Sequence, residues 1–163
     1  MRCANLHGVF SQRPAALWRR LPTLRLESRR ERFEIVVVGA HMSGMLLNAE
    51  LARLGGTFKR RVHTAQSYRL FALAGGPPKR PGLLRVADGA GRDIETEVWE
   101  LPADGFGRFV AAIPSPLCIG TVQLADGTAP KGFLVEPQGL DGAIDITSHG
   151  GWRAFLAHGQ TTA

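Results

Sequence analysis

The chain has 163 residues, 44% of them hydrophobic and 21% charged, which is typical of one globular domain. No apolar run approaches the roughly 18–20 residues that a membrane-spanning helix needs, so no membrane partner is predicted. The formal net charge of +6 lies in residues 1–32, where eight arginines face two glutamates, while residues 33–163 hold twelve basic and twelve acidic residues. The folded part therefore has no basic character that would indicate nucleic-acid binding.

Residues 1–32 are rich in arginine, poor in acidic residues and without hydrophobic periodicity. We interpret them as a basic, disordered extension, and residues 33–163 as the domain. An organellar targeting peptide and an overlong start are the alternatives that the residues leave open. The chain has two cysteines, Cys3 and Cys118, which do not make a disulfide framework. This cysteine usage fits a reducing, cytoplasmic setting.

The first element predicted is a strand at residues 35–38, IVVV, whose unbroken β-branched side chains favour burial on both faces. Residues 39–45 follow as a glycine-containing loop around His41, with Ser43 as the expected N-cap of the next helix. Leucines at i, i+4 and i+7 predict that helix over residues 46–54, with Gly55 and Gly56 as its C-cap. A loop at a helix start offers unpaired N–H groups to an anion, so we place the candidate site here.

The remaining chain is rich in short strands. We predict strands at residues 58–64, 68–73, 83–86, 93–101, 119–124, 132–135 and 144–146, and helices at 104–112 and 152–157. Residues 119–124 and 132–135 flank Asp126-Gly127 and predict a hairpin. Alternation in residues 93–101 places Ile94, Thr96 and Val98 opposite Glu95, Glu97 and Trp99. We interpret Glu95, Glu97 and Glu100 as a solvated strand face. Strands and helices do not alternate, which disfavours a Rossmann-type sheet and favours an α+β fold, a small twisted mixed sheet or barrel with flanking helices.

Several of these segments together resemble one family. VVVGAHMSGMLLNAEL, TAQSYRLFAL, PPKRPGLLRV, the run from EVWELP to GFLVE, and GGWRAFL are similar to the C-terminal domain of allophanate hydrolase over about residues 33–157. More distantly they resemble γ-glutamylcyclotransferases, which implies a γ-glutamylcyclotransferase-like fold. The resemblance further implies a role in urea degradation, namely decarboxylation of N-carboxycarbamate, the product of a separate amidase domain. The Ser–Ser–Lys group of that amidase has no counterpart here, so we do not expect this chain alone to hydrolyse allophanate.

The candidate catalytic residue is His41, because the nitrogen that loses carbon dioxide must take up a proton and a histidine pKa suits that transfer. The substrate-binding candidates are the loop residues Gly39, Ala40, Met42, Ser43, Gly44 and Met45, together with Tyr68, Arg69 and Glu136. The loop would hold a carboxylate through backbone donors, Arg69 would neutralise charge, and Glu136 would orient a histidine or hold a substrate nitrogen. The alternatives are structural: a histidine that caps the backbone, an arginine paired on the surface, and, for Lys79 and Arg80, a solvated loop.

No metal site and no cofactor are predicted, because the histidines are too scattered for metal-ligand spacing. The expected partners are a small carboxylate or ureido substrate, an amidase subunit, and a second copy of the chain in a homodimer. A second hypothesis is a non-catalytic assembly or ligand-binding module for an amidase. A third, less favoured, is a cyclotransferase. That family uses a glutamate near the end of the helix at 104–112, and residues 111–115 contain no carboxylate.

Overall fold

The computed structural model describes residues 31–160. The basic extension predicted for residues 1–32 lies almost entirely outside this range. Within residues 31–160, no helix is long and apolar enough to cross a membrane.

The larger of two sheets has five strands with β1 at its centre. Its strands are β1 (Arg32–Val37), β2 (Thr57–His63), β5 (Glu95–Pro102), β6 (Leu117–Thr121) and β7 (Lys131–Val135), in the spatial order β2-β5-β1-β7-β6. β1 pairs antiparallel with β5 and parallel with β7, so the sheet is mixed. β6 and β7 form the predicted hairpin. The α+β class with a small mixed sheet is confirmed.

The smaller sheet holds β3 (Tyr68–Ala72), β4 (Pro81–Arg85) and β8 (Ile144–Asp145), in the order β4-β3-β8 and antiparallel throughout. It packs closely against the larger sheet at β4. A Cβ added to Gly82 would lie 2.9 Å from Val135 Cβ of β7, and one added to Gly39 would lie 2.2 Å from Pro81 Cγ. Glycine at these positions permits this close approach. The contact brings the loop before β4 against the loop after β1.

Three helices flank the sheets: α1 (Asn48–Arg53), α2 (Ala103–Ala111) and α3 (Trp152–Gln160), with 3₁₀ turns at Pro137–Leu140 and Thr147–His149. The helix predicted at 104–112 is confirmed as α2, and α3 extends beyond its predicted end at residue 157. α1 is shorter than predicted, because the chain makes successive turns up to Leu47 before it becomes helical. Ser43 is therefore not its N-cap. Gly55 follows α1 with φ +78°, the left-handed conformation expected at a helix end.

The core lies around β1 and β5. Residues 35–38 are at most 3% exposed, which confirms a strand that is buried on both faces. β5 also differs from a half-solvated strand: Glu97 is fully buried and Trp99 is 7% exposed. The predicted solvated face is wrong for Glu97, because the glycine loop and α3 contact this side chain. Glu95 and Glu100 are half-buried.

Candidate functional site

The loop between β1 and α1, residues 39–47, is built from consecutive turns. Met42 N donates to Gly39 O at 2.9 Å, Met45 N to Met42 O at 3.0 Å, and Leu47 N to Ala40 O at 2.8 Å. Gly44 has φ +78°, a conformation that glycine adopts without strain. The loop is thus compact, and these internal bonds occupy several of the backbone donors that the sequence suggested for a ligand.

Four neighbours hold the His41 side chain and backbone. The imidazole stacks on Phe133, with ring centroids 5.7 Å apart and planes at 10°, and meets the Phe109 ring edge-on at 4.9 Å. Its Nε2 lies 3.1 Å from a Glu50 carboxylate oxygen. The Asn48 amide donates to His41 O at 2.8 Å. These contacts fix the plane and direction of a ring that is 18% exposed.

Burial lowers the pKa of His41 below its ordinary value, and the hydrogen bond and negative charge of Glu50 offset this only in part. His41 is therefore neutral at pH 7 in the free protein. Because a carboxylate accepts and does not donate, the Nε2 atom carries the hydrogen that Glu50 receives. Nδ1 is left with its lone pair. The ring can take up a proton at Nδ1 and release it again, which is the behaviour of a proton-transfer group.

Behind the loop, Glu97 is a fully buried carboxylate with both oxygens engaged. One oxygen accepts hydrogen bonds from Ser43 N at 2.7 Å, Ser43 Oγ at 2.9 Å and Trp99 Nε1 at 3.1 Å. The other accepts from Arg153 Nη2 at 2.6 Å. Burial alone would raise the pKa of Glu97, but the bonds from the Ser43 amide, Arg153, Trp99 and the Ser43 hydroxyl outweigh it and lower the pKa to about 2. Glu97 is thus a stable anion that holds the loop.

A small cavity opens beside His41, with a volume of about 40 Å³, room for a few water molecules or a carboxylate-sized group. Its lining is mostly apolar and comprises Val37, Val38, Gly39, Ala40, His41, Leu47, Arg80, Pro81, Leu117 and Phe133. Arg80 and Leu117 also line a second cavity of about 350 Å³, formed with the proline- and glycine-rich residues 73–78 and the 3₁₀ turn at Pro137–Leu140. The two cavities therefore share Arg80 and Leu117 in their linings.

Arg80 is the cation of this site. It is half-buried, and within the described range its guanidinium makes no hydrogen bond or ion pair. The backbone amides of Ala40 and His41, two other lining residues, likewise make no hydrogen bond with any residue of 31–160. An arginine and free amide donors next to a neutral imidazole are suited to bind an anion and exchange a proton with it.

Comparison with known proteins identifies the family. A family model for the allophanate hydrolase C-terminal domain matches residues 33–157. The chain belongs to this family. Urea amidolyase of Saccharomyces cerevisiae is 42% identical over 126 residues, which cover 76% of this chain and 7% of the yeast protein. Urea amidolyase of Lachancea kluyveri is 37% identical over 126 residues, which cover 76% of this chain and 7% of that protein. The chain thus spans a small part of the curated relatives that it matches.

Solved structures agree with this assignment. Allophanate hydrolase of Kluyveromyces lactis has a TM-score of 0.76 at 39% identity, covering 78% of this chain and 21% of the solved one. A protein specific to uropathogenic Escherichia coli has a TM-score of 0.72 at 34% identity, covering 78% of this chain and 98% of that one. The region of similarity thus makes up nearly all of that second chain. An uncharacterised protein of Pyrococcus horikoshii, 20% identical with a TM-score of 0.57, shares the fold.

Within this allophanate hydrolase C-terminal domain, the predicted loop residues separate into several environments. Gly39, Ala40 and His41 line the small cavity. The Met42 side chain is fully buried in the core, and the Ser43 amide and hydroxyl are bound to Glu97. Gly44 and Met45 line a different, apolar groove of about 340 Å³ beside α3.

The other predicted ligands lie outside the small cavity. Tyr68 is fully buried, and its hydroxyl accepts a hydrogen bond from Gln123 N at 2.8 Å. Arg69 is 44% exposed and forms an ion pair with Asp145. Glu136 is exposed after β7. Burial, and secondarily the charge of Glu136, raises the pKa of the Cys118 thiol. The side chains of Tyr68 and Arg69 are therefore committed to contacts within the fold.

Sequence reasoning missed Glu50 and Arg153, and read Glu97 as a surface residue. The sequence contained one indication for Glu50: side chains early in a helix tilt toward its N-terminus, and so toward the loop that precedes it. Arg153 had none, since its partners lie 56 and 110 residues earlier in the chain. Arg80 was noticed as a cation but interpreted as part of a solvated loop. It lines the same cavity as His41 because β4 packs against β7 and Pro81 packs against Gly39, and no local pattern encodes this packing.

Proposed function

We propose that this domain binds a small dicarboxylate beside His41 and catalyses the decarboxylation of N-carboxycarbamate in urea degradation. The observation that carries the proposal is the small cavity, in which a neutral, partly buried histidine adjoins a half-buried arginine that has no polar partner among residues 31–160. Urea amidolyase and allophanate hydrolase, the names of the relatives, support the substrate class. We further propose that a separate amidase supplies the substrate, because N-carboxycarbamate is short-lived in water.

In the proposed complex, a charged residue binds one carboxylate of the substrate and neutral backbone amides bind the other. Arg80 holds the carboxylate that is retained, through two parallel hydrogen bonds. The amides of Ala40 and His41 orient the carboxylate that departs, toward the apolar side of the cavity formed by Val38 and Phe133. An apolar surrounding favours departure, because the loss of carbon dioxide disperses negative charge. We assign the cationic role to Arg80 rather than Arg69, whose guanidinium is engaged with Asp145.

His41 supplies the proton. Binding of a dianion stabilises the imidazolium, so His41 takes up a proton from water at Nδ1 when substrate binds. The bond between the nitrogen and the departing carboxyl carbon then breaks, carbon dioxide leaves, and the electron pair stays on nitrogen. Nδ1 delivers its proton to that nitrogen, giving carbamate and neutral His41. Glu50 stabilises the transient positive charge through its bond to Nε2.

Turnover tests the catalytic step. An amidase that forms N-carboxycarbamate in place is combined with this protein, and carbon dioxide release is compared with spontaneous decay. We expect acceleration by the wild type and a loss of about 10²–10⁴-fold in rate for His41→Ala. His63→Ala, which removes an exposed histidine of β2, is the matched control and should keep the wild-type rate. If the folded wild type does not accelerate decarboxylation, catalysis is refuted. If His41→Ala has the wild-type rate, the reaction takes place at a site that does not include His41.

Binding tests the choice of arginine. Malonate is a stable probe, because it replaces the nitrogen of N-carboxycarbamate by a methylene group. We expect Arg80→Ala to weaken malonate binding about 10–100-fold, the usual effect of losing a charged hydrogen-bonding partner. Arg69→Ala, the matched control, should bind malonate like the wild type. Malonate affinity is measured by calorimetry. If Arg69→Ala weakens binding and Arg80→Ala does not, Arg69 is the residue that binds the carboxylate.

A second candidate is an assembly or ligand-binding module without catalysis. The observation that favours it is the small share, 7%, that this chain covers of the urea amidolyases. Malonate binding without any acceleration of decarboxylation, together with a stable complex with the amidase, would support this function instead.

A further inference from the structure

One residue of the glycine loop has all of its polar groups bound by distant parts of the chain. The amide and hydroxyl of Ser43 donate to Glu97, and its carbonyl accepts from Arg153 Nη2 at 2.7 Å. Ser43 lies two residues after His41. Its partners come from β5 and from the first turn of α3, so two elements fasten the loop from behind.

Arg153 links these elements. Its Nη2 donates to Glu97 as well as to Ser43 O, and its Nη1 lies 2.9 Å from a Glu95 carboxylate oxygen and 3.5 Å from Met42 Sδ. The planar guanidinium makes these contacts at fixed angles, which the single ammonium of a lysine cannot reproduce. The preceding residue, Trp152, is 2% exposed, so α3 is anchored in the core where it meets the loop.

We infer that Glu97 and Arg153 are positioning residues for His41, and that docking of α3 through Arg153 completes the candidate site. The inference rests on the proposed role of His41. Glu97 and Arg153 act through Ser43: they set the path of the loop, and the loop sets the distance of the imidazole from Glu50 and from the cavity.

Stability alone is a weak reason for this arrangement. An ion pair with one partner fully buried gains little over well-packed apolar side chains, because both charges lose their hydration. What the pair adds is direction, since its hydrogen bonds end on defined atoms of Met42, of Ser43 and of β5. The loop's own bonds are turn bonds between residues three to seven apart. They define its compact shape but not its position against β5.

The test measures His41 directly and requires no turnover. The imidazole carbon-bound hydrogens are followed by NMR as pH is varied, in the wild type, Glu97→Gln and Arg153→Lys. The wild-type His41 pKa should lie below its ordinary value, whereas in both variants the pKa should rise, as expected of a ring that has moved toward solvent. Malonate binding should weaken at least tenfold in both. Amide signals of β3, β4 and α2 report whether the fold is intact.

Two control variants remove charge without touching the loop. Arg61 approaches the same carboxylates, at 3.5 Å from Glu95 and 3.6 Å from Glu97, and forms no hydrogen bond or ion pair with residues 39–47. Arg61→Gln should leave the His41 titration unchanged. Glu100→Gln, on the same strand but in a surface ion pair with Arg32, should do likewise.

A folded Glu97→Gln protein with the wild-type His41 titration and malonate affinity would overturn the inference. If Glu97→Gln does not fold, Arg153→Lys decides by the same criterion. A different result would refute the proposed function, namely a wild type that neither binds malonate nor accelerates decarboxylation. In that case the titration of His41 still shows whether Glu97 and Arg153 position the ring.

Discussion

Acidification should remove a defined part of the stability of this domain through Glu97. The pKa of this carboxyl is about 2 in the folded protein against an ordinary 4.5. Since a tenfold change in proton affinity is worth about 1.4 kcal/mol, ionised Glu97 contributes about 3 kcal/mol. The contribution is full above pH 4.5, where both states are ionised. It is lost as pH falls toward 2, because the unfolded chain takes up the proton first.

Urea unfolding at pH values from 6 down to 2 measures this contribution, in the wild type and in Glu97→Gln. Other acidic groups with lowered pKa, such as Asp126 and Asp145, affect both proteins equally and cancel in the difference. We expect the difference in the free energy of unfolding between the two proteins to shrink by about 3 kcal/mol over this range. A difference that stays constant with pH would show that the Glu97 carboxyl is not held as an anion by Ser43 and Arg153.

Three further substitutions test the packing around the site. Gly39→Ala should displace Pro81, whose Cγ would lie 2.2 Å from the new Cβ, and with it Arg80. Malonate affinity should therefore fall at least tenfold, and an unchanged affinity would contradict this geometry. Leu51→Ala removes the fully buried side chain of α1 and should cost about 2–5 kcal/mol in urea unfolding, while a cost below about 1 kcal/mol would refute its place in the core. Gly107→Ala should raise stability by about 0.5–1 kcal/mol, because the new Cβ of this α2 residue meets nothing within 4 Å, and a loss of stability would disagree with that open surface.

Much of the fold could be predicted from local patterns. The β-branched run at residues 35–38 indicated a strand buried on both faces, and the Asp126-Gly127 turn indicated the β6–β7 hairpin. These features depend on the nearest residues in the chain, so periodicity and turn chemistry report them. The helix after the loop was predicted two residues too early, because its leucine spacing does not show that the loop continues as turns up to Leu47.

The candidate site could be predicted only in part. His41 was singled out because it lies between glycines after a buried strand, and the structure places it in a small cavity. Arg69 was chosen as the cation, but its guanidinium pairs with Asp145 on the surface, a partner 76 residues later. Glu97 was read from alternation as a solvated residue. Alternation describes which face of a strand a residue occupies, and it cannot say what covers that face.

The sequence by itself therefore determined the strands, the helices and the position of the histidine loop, since these follow from side-chain period, turn residues and the apolar run. Tertiary structure alone decided the partners of His41 and Ser43. Packing of β4 against β7, and of Pro81 against Gly39, brings Arg80 to the cavity, and docking of α3 brings Arg153 to Glu97. The physical reason is that hydrogen bonds and ion pairs depend on separation in space, whereas periodicity records the order of residues along the chain.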